Sequence, residues 1–132
     1  MMYRTFCFAT VLLLSTFLIT ACSTSDSNAP VISQQTLLQQ IETKADILIL
    51  DVRSTDEFKN GHIPGAYHID HREIKSRLKE IETYKNKPVI VYCHSGVRAG
   101  RVEPFLMGQG FTQIRHLQGD WAAWESNKRP FE

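Results

Sequence analysis

The sequence predicts an α/β fold, a mainly parallel sheet with helices on both faces. Two observations carry this. Ile47-Leu48-Ile49-Leu50 and Val89-Ile90-Val91-Tyr92 are continuous apolar runs of strand length. A strand that does not alternate with polar residues is covered on both sides, as parallel strands are. Between and around these runs, segments with apolar residues at helical spacing alternate with strand candidates, the order expected of strand-helix units.

The elements follow in chain order. Ser33 is placed to cap a short helix over roughly Gln34 to Glu42, with Leu37, Leu38 and Ile41 on one face. The run from Asp46 to Leu50 is the first buried strand, ended by Asp51-Val52-Arg53. Ser54 and Glu57 form a capping-box pattern opening a short helix through Phe58 and Lys59, and Gly61 is suited to stop it. Ile63-Pro64-Gly65 is a turn and Ala66 to Ile69 a short strand. Asp70 and Glu73 again have capping-box spacing, and Ile74, Leu78 and Ile81 mark one face of a helix running to about Tyr84. After the Val89–Tyr92 strand, a helix is expected from about Val97 to Met107, kinked or broken at Pro104. Gln113 to Leu117 forms a last strand, and Asp120 is placed to cap a terminal helix with Trp121 and Trp124 on one face.

Composition fits one such domain. The 132 residues are 42% hydrophobic and 22% charged, enough for one core and too few for two. A formal net charge of +1 gives no global field that would gather nucleic acid or an acidic partner. No His/Cys pair has zinc-ligand spacing, and no metal or cofactor is expected.

The N-terminus is organised differently. Arg4 precedes an apolar stretch from Phe6 to Thr20, short for a membrane span, which needs about 20 residues. A basic start, an apolar run and then small residues is the plan of a secretory signal peptide over residues 1–21, the alternative being an uncleaved anchor helix. Leu18-Ile19-Thr20-Ala21-Cys22 resembles the lipobox of bacterial lipoproteins. That resemblance implies cleavage before Cys22, acylation of Cys22, and export to the cell envelope with the domain facing the periplasm. Ser23 resembles an outer-membrane sorting residue. Several acyl chains make a stable anchor where one is marginal. Residues 22–30 lack apolar periodicity and read as a flexible tether, with the folded domain over 31–132. Of the three cysteines, Cys7 would leave with the signal peptide and Cys22 would carry lipid, so Cys93 is the one free thiol of the mature chain.

Cys93 directly follows a buried strand, and the segment Cys93-His94-Ser95-Gly96-Val97-Arg98 is a tight loop leading into a helix. Such a loop can aim backbone N–H groups at a sulfur, the helix start adds partial positive charge, and Arg98 adds a cation. Together these favour the thiolate, which is the nucleophilic form. The alternative is a Cys93 that serves only as a small buried apolar residue.

At this point the sequence resembles a known family. Cys93-His94-Ser95-Gly96-Val97-Arg98 resembles the Cys-x-x-Gly-x-Arg loop of single-domain rhodaneses. Leu50 to Phe58 and Gly61-His62-Ile63-Pro64-Gly65-Ala66 resemble two further family signatures, and Gly110-Phe111 with Leu117 to Trp121 the closing one. The resemblance spans nearly all of the mature domain and implies a sheet of about five strands.

It also implies a reaction: Cys93 takes sulfane sulfur from a small donor such as thiosulfate, becomes a persulfide, and passes the sulfur to a thiol, cyanide-like or protein acceptor. By the same resemblance the backbone of His94, Ser95, Gly96, Val97 and Arg98 cradles the sulfur, Arg98 helps to hold an anionic donor, and Asp51 and Arg53 brace the site. Glu57 at its mouth would oppose an anion; the plainer reading makes Arg53 and Glu57 a surface pair. Asp120 departs from the family, many of whose members have a second Gly there. Related phosphatases and arsenate reductases use a loop one residue longer, because phosphate needs more room. A persulfide relay or binding module is the remaining alternative.

Overall fold

The computed structural model describes residues 29–132; the segment read as signal peptide, most of the tether, Cys7 and Cys22 lie outside the described residues. Five parallel strands, β1 (Val31–Ile32), β2 (Leu48–Asp51), β3 (Tyr67–His68), β4 (Val89–Tyr92) and β5 (Ile114–Leu117), form one sheet in the order β1-β5-β4-β2-β3. The helices are α1 (Gln34–Glu42), α2 (Thr55–Lys59), α3 (Val97–Gly108) and α4 (Asp120–Ser126). This is the expected α/β architecture. Ala29 is already buried and the Pro30 carbonyl accepts the His116 N–H, so packing begins two residues before the expected boundary.

The two central strands explain their own composition. Leu48, Leu50, Val89 and Val91 pack into one cluster with Ala99, Val102 and Leu106 of α3. Ile49, Ile90 and Tyr92 point the other way, into a second cluster with Leu37 of α1 and Trp121 and Trp124 of α4. All eight residues of β2 and β4 are buried, as continuous apolar runs require.

Three local expectations are corrected. Asp70 does not open an α-helix; its carboxylate accepts the Arg72 backbone N–H at 2.9 Å and two bonds from the Arg72 guanidinium, a local arrangement that competes with helix formation. Turns follow, then a 3-10 helix over Leu78–Tyr84. Leu78, Ile81 and Tyr84 are three apart, so a helix of three residues per turn sets all three on one side. Secondly, of the kink or break expected at Pro104, the break does not occur: α3 runs through it to Gly108. Pro104 is exposed, on the side of the helix where a freed carbonyl can be hydrated. Thirdly, Asp120 does not cap α4. Gly119 occupies the cap position in the left-handed region, and Asp120 is the first helical residue, itself at φ +53°.

Candidate functional site at the end of strand β4

Strands β2 and β4 are neighbours, with Asp51 opposite Tyr92. From β2 the chain moves outward to β3, and from β4 it moves to β5 on the other side. Where successive connections diverge, the loops at the strand C-termini leave a crevice, the usual ligand position in open α/β sheets. Cys93 follows β4 at this point, and Val52 and Arg53 follow β2.

The loop after β4 is held from several directions. Gly96 donates its N–H to Cys93 Sγ at 3.0 Å. It does so at φ +95°, a conformation that a side chain would strain. The carbonyls of Cys93 and His94 accept the backbone N–H groups of Trp121 and Ala122 at the start of α4, both at 3.0 Å. Helix-start donors thus find partners in the loop, and the loop carbonyls are drawn toward α4. His94, Ser95 and Val97 are exposed, while Cys93 is only 1% exposed and packs with Val52, Val91 and Ala99.

The expected ring of amides is therefore narrower than its description from sequence. Of the His94–Arg98 backbone, Gly96 alone donates to the sulfur. The N–H of Cys93 itself is taken by Asp120 Oδ1 at 2.9 Å.

Arg98 is not free for an anion. Its Nη1 and Nη2 donate to Glu57 Oε2 and Oε1 at 2.6 and 2.8 Å, across the crevice from α3 to α2. This hydrogen-bonded guanidinium holds the Glu57 carboxyl at about 2, and the same contact raises Arg98 above its ordinary value. The Arg53–Glu57 surface pair does not form. Arg53 is 2% exposed and its guanidinium bonds Asp51 through Nε and Nη2, with Nη2 also donating to the Gly61 carbonyl at 2.7 Å. It lies 4.4 Å over the Trp121 ring. Asp51 and Arg53 thus join the end of β2 to the Gly61 turn and α4. His62 stacks on Phe58 and pairs its Nδ1 with the Phe58 carbonyl, a structural position.

Three residues beneath the loop were given no site role from sequence. His116 on β5 sits between two carboxylates, Nδ1 at 2.5 Å from Glu103 Oε1 and Nε2 at 3.0 Å from Asp120 Oδ2. Glu103 is fully buried, on the core side of α3. Asp120 first and Glu103 second push the His116 imidazole up to about 10, against an opposing effect of burial. The available signal was a charged residue beside Val102 on a core-facing helix stripe.

Residues 33–127 match the Rhodanese-like domain family. The chain is 42% identical over 76 residues to the uncharacterized protein YqhL of Bacillus subtilis, covering 58% of this chain and 59% of that protein. It is 32% identical over 99 residues to a sulfurtransferase of Allochromatium vinosum, covering 75% of this chain and 91% of that one. It is 32% identical over 88 residues to the thiosulfate sulfurtransferase GlpE of Coxiella burnetii, covering 67% and 80%. Among solved structures, a rhodanese-like domain of Anabaena sp. Alr3790 superposes with a TM-score of 0.69 at 26% identity, over 78% of each chain.

Proposed function

Since this chain belongs to the rhodanese-like domain family, we propose that it is a sulfurtransferase that carries sulfane sulfur as a persulfide on Cys93. The observation that carries the proposal is the Gly96 N–H aimed at Sγ from a loop at the sheet's crevice. A backbone donor at that distance favours negative charge on sulfur. In the first step Cys93 thiolate attacks the outer sulfur of a donor; a new S–S bond forms and the donor's own bond to that sulfur breaks. The electron pair leaves with the donor remnant, sulfite from thiosulfate or a thiolate from a persulfide. In the second step an acceptor thiolate or cyanide attacks the outer sulfur, and the Cys93 thiolate departs unchanged. No external oxidant or reductant enters the cycle.

The test is intact-mass measurement of the domain after exposure to a sulfane donor. One added sulfur atom is expected on the wild type and none on Cys93→Ser. Equal loading of the two proteins would remove Cys93 from the mechanism. Four residues separate Cys93 from Arg98, one fewer than in the related phosphatase loops, so hydrolysis of an aryl phosphate is not expected.

The Glu57–Arg98 pair bears on the choice of donor. With Glu57 ionised at neutral pH, the guanidinium at the crevice is already neutralised for an incoming dianion. Glu57→Gln keeps a group able to accept the Ser54 N–H, now bonded to Glu57 Oε2 at 2.9 Å. Removing one charge is expected to raise kcat/KM for thiosulfate about tenfold, equivalent to ~1.4 kcal/mol, with little change for an uncharged polysulfane donor. Equal changes for both donors would show that Glu57 does not act through its charge.

A further inference from the structure

Glu103, His116 and Asp120 form a closed unit directly under the loop after β4. The loop rests on it at two places. Asp120 Oδ1 accepts the Cys93 N–H, and a Cβ built on Gly96 would lie 3.0 Å from Asp120 Oδ2 and 3.5 Å from the His116 ring. The residue that starts the loop and the residue whose N–H meets the sulfur therefore both bear on the Asp120–His116 pair. The three side chains do not converge on a point where a metal could sit; the imidazole lies between the carboxylates, one on each nitrogen.

Asp120 has both carboxylate oxygens engaged, Oδ1 by the Cys93 N–H of the loop and Oδ2 by His116 of β5. Glu103 is more demanding still: a carboxylate with no exposure, one oxygen on His116 and the other without a hydrogen-bond partner. Such a group is costly to bury, and the His116 imidazole beside it offsets that cost.

We propose that Glu103, His116 and Asp120 are positioning residues that set both the backbone and the net charge beneath the Cys93 loop. Asp120 fixes the first amide of the loop, and the His116 imidazolium stands between the carboxylates of Asp120 and Glu103. Three charged clusters lie along the same sheet end: Arg98 of α3 pairs with Glu57 of α2, Arg53 pairs with Asp51, and Asp70 takes Arg72 and His71. The unit under the loop sets one imidazole against two carboxylates, and changing it should change how readily Cys93 becomes an anion. The proposal rests on Cys93 reacting as a thiolate and needs no particular sulfur donor.

The two single variants should move reactivity in opposite directions. Glu103→Gln keeps an acceptor for His116 and leaves one carboxylate beside the imidazole. His116→Gln leaves two carboxylates without a cation. The measurement is the rate of Cys93 alkylation by iodoacetamide between pH 5.5 and 9. At pH 6.5, Glu103→Gln is expected to react about threefold faster than wild type and His116→Gln about tenfold slower, a shift of about one pH unit for the latter. The three curves should draw together as pH rises, because the difference lies in the fraction of thiolate. A unit that only supports the fold would slow both variants at every pH, and that result, or no change in either, overturns the proposal. If His116→Gln does not fold, the acceleration in Glu103→Gln decides the question alone. Alkylation reads Cys93 acidity without any sulfur transfer, so a wild type that alkylates as expected yet takes up no sulfur would overturn the proposed function and leave this proposal standing.

Discussion

Arg53→Met should cost about 3–5 kcal/mol of folding stability, measured by urea denaturation. The size follows from what the guanidinium leaves behind. Asp51 is fully buried, and Arg53 meets it through Nε at 3.0 Å and Nη2 at 2.7 Å. Methionine fills much of the volume over Trp121 but returns no charge and no donor, so a buried carboxylate and the Gly61 carbonyl lose their partner together. Asp51→Asn combined with Arg53→Met should recover a large part of the loss, because the orphan charge is then gone. A loss below ~1 kcal/mol for the single variant would mean that Asp51 finds another partner.

The second large effect is a decline of stability from neutral to alkaline pH. His116 has an ordinary value near 6.5 and is raised to about 10 in the folded chain by Asp120 and Glu103. Between those values the folded state holds a proton that the unfolded state has released. The contribution is therefore complete below about pH 6.5 and is lost as pH rises through about 10. One such proton gives a slope of up to about 1.4 kcal/mol per pH unit within the window. Denaturation curves from pH 7 to 10 should show this decline in the wild type. In His116→Gln it should be largely absent. The same slope in both proteins would assign the decline to other groups.

Much of the site was legible along the chain because it is local. Ser54 and Glu57 close their capping box within four residues, and Ser33 caps α1 as its position indicated. Cys93 and Gly96 meet across three positions of one loop. The contacts that the sequence did not disclose are long-range. Glu57 and Arg98 are 41 positions apart, and Cys93 and Asp120 are 27 apart. Nothing in the spacing of either pair shows that they meet; the crossings of a parallel sheet bring them together. Strand β1 was missed for a related reason. Two residues carry no periodicity, and pairing with β5 alone makes Val31–Ile32 a strand.

By itself the amino-acid sequence determined the order of the central strands and their helices, the placement of Cys93 at the end of a buried strand, and the family, because hydrophobic runs, caps and glycine turns act over a few neighbouring residues. Tertiary structure decided which charges face one another: Arg98 with Glu57, Arg53 with Asp51, and His116 between Glu103 and Asp120. Electrostatic partnership depends on distance in space and on the water excluded between the groups, and both are set only when the sheet and its helices have packed.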